Sequence, residues 1–403
     1  MLSFTKTPDM SRSWILSVFL CLAIWNSLQG QLLENPSFLE VAQQGLTYTY
    51  NADFDQANEL FLTLQEELPE HPAPYFLAAT NRWWQYSQGG AQKLLPYVDS
   101  QLNHALFLNE KLKAEPNLDE EYALFEFLTH ALKARLLTEQ QAWLHAANQG
   151  RKTLPHLEIC LAQADSSREF GFIAGVYHYY AETYSRSNPL VRPFMMFFPD
   201  GNVRKGLAEL EMAAQQPNLM QAEALYYLSY IYLEPYARDT VRVQQVAKRL
   251  QEAYPRNPWF ACELARVKVH TGFHSEALGP LNAILDRYQA QPEARTRLIC
   301  SHESKYSTLL AMRAHYYRGL CYLHGREDPS LAFDEFEAAL DYAALMDMKE
   351  AFYPCSSQFY QAQCLEMMGR KEEARQAYQQ YLTGDDLGGH KEEAVAGLER
   401  VSL

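Results

Sequence analysis

Two carboxylate–imidazole pairs stand four residues apart: Glu126 with His130, and His178 with Glu182. On a helix that spacing puts both side chains on one face, where they can share a metal ion or hydrogen-bond to each other or to a neighbouring helix. The hydrogen-bonded pair is the favoured reading. His270 and His274 share the spacing, but Gly272 between them marks a turn. The chain has no G-x-S-x-G, no phosphate-cradling glycine loop, no dinucleotide fingerprint and no H-E-x-x-H. No catalytic residue, cofactor site or metal site is therefore assigned.

Cysteine chemistry is equally sparse. Of seven cysteines, none stands in a C-x-x-C or haem-attachment spacing. Cys262, Cys321 and Cys364 sit in helical patterns where small buried thiols are ordinary. Cys300 and Cys355 are the one pair worth testing for a bridge.

The first 30 residues read as an export signal and not as part of the fold. Lys6 and Arg12 precede an apolar run, Trp14–Trp25, and the polar stretch Asn26–Gly30 follows. The run is shorter than the ~20 residues a membrane-spanning helix needs, so cleavage is expected before Gln31, and Met10 can serve as an alternative start. Leu20 before Cys21 argues against lipidation. No other segment reaches spanning length, so the expected product is exported, periplasmic or secreted, and not integral to a membrane.

Composition narrows the rest. The 403 residues are 48% hydrophobic and 21% charged, ordinary for a folded chain and too apolar for a disordered one. A net charge of −14 disfavours nucleic acid or an anionic lipid surface as the main ligand. With 18 Gly and 19 Pro, turns are too sparse for an all-β protein.

The elements themselves follow one spacing. Gly45 and Tyr48 fall on one helix; Ala57, Phe61 and Leu64 fall on the next, with Phe54 in the turn and Pro69 at the end. The order recurs in Leu228, Ser229, Tyr232, Ala247, Leu250 and Pro255, and in Leu264, Ala265, Gly272, Ala277, Leu281 and Ile284. It recurs again in Gly319, Tyr322, Ala332, Phe336 and Ala339, and last in Ala362, Gly369, Ala374, Tyr378 and Tyr381. Small residues let paired helices approach, and large ones fill the gaps between units. This pattern resembles the tetratricopeptide repeat (TPR), a helix pair of about 34 residues.

The resemblance implies an all-α, right-handed superhelical solenoid of antiparallel helix pairs. It divides the chain into N-terminal repeats over 31–165 and C-terminal repeats over 166–403, continuous with each other, with His390–Leu403 as a capping helix. Residues 72–165 hold long helical patterns, Asp119–Leu137 and Glu139–Ala164, that read as diverged pairs. Glu293–His324 is too long for one repeat helix and should bend or break. Asn188–Gly201 is an insertion, with Asn202 placed to cap the next helix. Its Phe194–Phe198 run reads as extra core or as a partner-binding flap.

In TPR proteins the first helix of each pair lines a concave groove. Carried onto this chain, the groove positions are Phe76, Trp83, Trp84, Phe172, Tyr179, Tyr180, Tyr226, Tyr230, Trp259, Arg266, Tyr316 and Phe359. Aromatic residues suit a binding face, and about half of these are expected in the core. Arg266 is the one basic residue among them, which argues against capture of an acidic C-terminus. The leading reading is a non-enzymatic, protein- or peptide-binding scaffold of the cell envelope. The alternative is a carbohydrate- or nutrient-binding helical-repeat protein. The identity of the partner and the oligomeric state are left open.

Overall fold

A computed structural model describes residues 32–90, 92–113, 118–187, 198–215, 217–290, 306–348 and 351–402. The whole export segment 1–30, Cys300 and residues 188–197 of the insertion lie outside the described residues. Phe198, at the end of that insertion, is half-buried.

The described residues form seventeen α-helices and two short 3-10 turns, with no strand. The first six helices are α1 (Pro36–Tyr50), α2 (Phe54–Glu67), α3 (Pro72–Ser87), α4 (Leu95–Leu112), α5 (Asp119–Glu139) and α6 (Trp143–Ala162). Next come α7 (Arg168–Ser187), α8 (Val203–Gln215), α9 (Gln221–Ile231), α10 (Thr240–Ala253), α11 (Pro258–His270) and α12 (His274–Gln289). The last are α13 (Thr308–Gly325), α14 (Pro329–Leu345), α15 (Phe352–Met367), α16 (Lys371–Thr383) and α17 (Lys391–Ser402).

Local chemistry starts and stops these helices where the sequence places the signals. The side chains of Asn35, Asp239, Asn257, Ser307 and Asp328 accept backbone N–H bonds at the starts of α1, α10, α11, α13 and α14. The Asn202 side chain likewise accepts from Lys205 N–H at 2.9 Å, the cap expected for α8. Between α11 and α12, Gly272 adopts φ +85°, a conformation that favours glycine.

Each helix packs on its successor, and odd-numbered helices also touch their next odd neighbour: α1 on α3, α3 on α5, α11 on α13, α13 on α15, and α15 on α17. The first helices of the pairs thus form an inner layer. The repeat positions explain the close approach within pairs. A Cβ on Gly45 would lie 2.4 Å from Cε1 of Phe61, and one on Gly319 would lie 2.7 Å from Cε1 of Phe336. Ala57 and Ala374 are fully buried at the equivalent approaches.

One pair follows the same logic without the signature. Gly175 on α7 faces the backbone of Gly206 on α8, where a Cβ would meet the Gly206 carbonyl oxygen at 3.0 Å. Here glycine stands on both helices, in place of the glycine-plus-aromatic pattern.

The array curls back on itself. Asn257 Nδ2 donates to the Tyr50 carbonyl at 2.9 Å, and Arg256 pairs with Asp53 at 2.5 Å. Trp84 packs edge-on against Tyr226 and Phe260, with centroids 5.2 and 5.9 Å away. Ser307 Oγ donates to the Gln88 carbonyl at 2.7 Å. One buried apolar cluster therefore runs from Leu32 to Cys364, and a second occupies α15–α17.

Candidate functional site

Curling the array encloses part of its concave face. A cavity of about 570 Å³ lies among the inner helices, within the ~300–1,000 Å³ range of small-ligand sites. Helix α1 contributes Leu46 and Tyr50, α3 contributes Phe76, Leu77 and Thr80, and α5 contributes Leu128, Ala131, Leu132 and Arg135. Phe172 and Tyr180 come from α7, and Glu223, Tyr226, Tyr227 and Tyr230 from α9. Leu219 and Met220 before α9, and Glu234 after it, complete the wall. The site is a largely apolar, tyrosine-rich chamber with three charged groups.

Each charged group has a defined setting. Glu223 Oε1 accepts from Trp84 Nε1 at 2.7 Å and from the Tyr50 hydroxyl at 3.4 Å. The nearest Arg135 nitrogen is 3.8 Å from Glu223 Oε2, and the guanidinium lies 3.8 Å from the centroid of the Trp83 ring. Burial is the largest influence and acts to lower the Arg135 pKa, but Glu223, Tyr227, Tyr226 and Glu139 together outweigh it and the group is held above its ordinary value. Glu234 Oε2 accepts from the Tyr179 hydroxyl at 2.6 Å. Burial pushes the phenols of Tyr50, Tyr180, Tyr226, Tyr227 and Tyr230 above their usual range, so they act as neutral hydroxyls.

The twelve groove positions divide. Phe76, Phe172, Tyr180, Tyr226 and Tyr230 line the cavity. Trp83, Trp84, Tyr179, Trp259, Arg266, Tyr316 and Phe359 are buried and do not line it. Of the five that line it, Phe76 lies in the stretch 72–165 read as diverged pairs, Phe172 and Tyr180 lie on α7, and Tyr226 and Tyr230 lie on α9. Inner positions farther along are filled by packing. Phe359 stacks on His390 at 4.4 Å, and Tyr316 meets Phe336, Phe352, Tyr353 and Tyr360.

Arg266 has a different role from a groove cation. It donates to Glu263 at 2.7 Å and to the Ser229 carbonyl at 3.0 Å, and lies over the Tyr230 ring. Arg313 also pairs with Glu263 and sits 4.1 Å from the Trp259 centroid. Burial alone would raise the Glu263 pKa, but the two guanidinium groups hold it at about 2. Arg135, the basic residue that does reach the cavity, was missed because it lies where the repeat signature is lost. In the sequence it stands two residues after Lys133 on a long helical pattern, with no local signal that marks one cation over the other.

Of the two carboxylate–histidine pairs the first is hydrogen-bonded to itself, and the members of the second turn to separate partners. His130 Nε2 meets Glu126 Oε1 at 3.1 Å, and Glu126 also accepts from Asn109. His178 binds Glu209 at 2.6 Å, while Glu182 accepts the backbone N–H of Val203. Among the described residues no group of three or more His, Cys, Asp or Glu is placed to hold a metal, and no helix is long and apolar enough to cross a membrane. Cys262, Cys321 and Cys364 are buried, and burial pushes their thiols up to about 11, 12 and 12, away from the nucleophilic range.

No protein-family model and no curated protein matches the chain. Among solved structures, the apo form of RapI is similar at 12% identity, covering 82% of this chain and 85% of its own, with a TM-score of 0.48. A Rap protein complexed with Competence and Sporulation Factor is similar at 12% identity over 90% of this chain and 96% of its own, with a TM-score of 0.44. Yeast Tom70 is similar at 11% identity over 92% and 90%, with a TM-score of 0.30.

Proposed function

We propose that this protein is a non-enzymatic binding protein that holds a short, compact peptide or peptide end in the half-open chamber between α1, α3, α5, α7 and α9. The observation that carries the reading is the closure. Contacts of α1 and α3 with α9 and α11 interrupt the concave face, so the space offered is a chamber rather than a long open groove. Its walls combine apolar side chains with a few fixed polar groups, the usual composition of a small-ligand site. A role at the cell envelope, reached through an export signal over 1–30, belongs to the same proposal. N-terminal sequencing of the protein from its native host should start near Gln31.

Titration with short apolar peptides tests the binding reading. Tyr180, 36% exposed, lines the chamber at its most accessible aromatic position, and Tyr180→Ala should weaken binding about tenfold or more while the fold stays intact. A sugar is the second occupant that a local aromatic chamber admits. Saturable binding of oligosaccharides with none of peptides would replace the peptide reading.

A further inference from the structure

The charged groups of the chamber carry a more specific inference, which rests on the peptide reading above. Arg135 projects five N–H donors, yet it donates no hydrogen bond to another described residue. Its nearest carboxylate oxygen is beyond hydrogen-bond range at 3.8 Å, and the side chain keeps 33% of its surface exposed. Stacking on Trp83 fixes the guanidinium plane without using any donor. Glu223 gives Oε1 to Trp84 and Tyr50, and its Oε2 faces Arg135 across 3.8 Å, so its charge is already set against the guanidinium. Glu234 gives one oxygen to Tyr179 and retains acceptor capacity, because a carboxylate offers about four lone-pair sites.

The balance of charge then selects the ligand. The wall carries one cation, Arg135, and two anions, Glu223 and Glu234. A ligand with a carboxylate alone meets a net negative wall. A ligand with an ammonium alone buries the Arg135 donors without an acceptor, which is costly. A ligand with both groups and an apolar body meets every requirement. We propose that the chamber recognises a zwitterion with an apolar body, a short peptide with both termini free, whose carboxylate is taken by Arg135 and whose ammonium is taken by Glu234. The leucines, phenylalanines and tyrosine rings of the wall receive the side chains. A free apolar amino acid presents the same two groups and is distinguished below.

The test is calorimetric titration of the full chain with tripeptides built from Leu, Phe and Ala. Each is supplied free, C-terminally amidated, N-terminally acetylated and doubly blocked, with L-phenylalanine in parallel. The free peptides should bind best, and either block should cost about tenfold or more. In Arg135→Gln, amidation should no longer matter; in Glu234→Gln, acetylation should no longer matter. Arg135→Lys, which keeps the charge without the fork, should retain part of the amidation effect, and melting curves establish that each variant folds. Equal affinity for free and doubly blocked peptides overturns this inference and leaves the chamber's role standing. No binding by any tripeptide overturns both. Binding of L-phenylalanine as tight as that of the free tripeptides assigns the site to amino acids and overturns the peptide assignment.

Discussion

The indole N–H of Trp84 donates to Glu223 Oε1 at 2.7 Å, joining α3 to α9 across 139 positions of sequence. Both partners are largely removed from water, so this is a charge-assisted bond in a low-dielectric setting. It closes the chamber and holds the carboxylate that faces Arg135. Trp84→Phe keeps the ring packing on Tyr226 and Phe260 but deletes the donor. The expected cost is about 1.5–3 kcal/mol, read from urea unfolding midpoints. A variant as stable as the parent would show that the closure does not depend on this bond.

The glycines of the helix pairs make opposite predictions at different sites. Gly45→Ala drives a Cβ into the buried ring of Phe61, and should destabilise by about 1–3 kcal/mol. Phe61→Leu in the same chain should recover part of the loss. Gly279, inside α12, has no atom within 4 Å of a built Cβ. There Ala should stabilise by about 0.5–1 kcal/mol. Thermal melts of the two alanine variants must move in opposite directions.

Much of the fold was legible because its signals are local. The small residue at Gly45 or Gly319 and the aromatic at Phe61 or Phe336 lie within one helix pair, at a spacing the helix period explains. Gly175 against Gly206 and Leu210 was not legible, since no aromatic stands opposite the glycine to mark the unit. The site was harder still. Phe76, Phe172, Tyr180, Tyr226 and Tyr230 were found by position, but position alone could not separate them from Trp84, Trp259 or Tyr316. What separates them is the closure of α1 and α3 onto α9 and α11, which depends on pairs such as Tyr50 with Asn257, 207 positions apart.

The buried ion cluster should be brittle. Glu263 is fully buried between Arg266 and Arg313, and Arg313 Nε and Nη1 have no hydrogen-bond partner. Glu263→Gln removes the charge that both guanidinium groups depend on, and should cost about 3–5 kcal/mol. Adding Arg313→Met should restore part of it, a coupling measurable by a double-mutant cycle.

Acid should unfold this protein from an unusually high pH. Burial lowers the His71 pKa from 6.5 to about 3, and its Nδ1 accepts the Ala73 N–H at the start of α3. The neutral form is native, so its contribution is complete above pH 6.5 and is lost as pH falls toward 3. The slope is up to about 1.4 kcal/mol per pH unit. Burial lowers His270 to about 4 in the same direction. Glu263, held at about 2, adds a loss that begins below pH 4.5. Denaturation midpoints between pH 7 and pH 4 should fall steadily, and His71→Asn, which keeps a helix-capping side chain, should flatten the slope.

If the chamber is the binding site, filling it must abolish binding. Ala131 on α5 lines the space and is only half-buried, so Ala131→Trp adds a ring that can occupy the void in place of a ligand. Titration of the parent and the Ala131→Trp variant with the same free tripeptides should show saturable binding to the parent and none to the variant, with unchanged circular dichroism and a melting temperature at or above the parent's. Undiminished binding by a folded Ala131→Trp chain would rule the chamber out as the binding site and place the functional surface elsewhere on the solenoid.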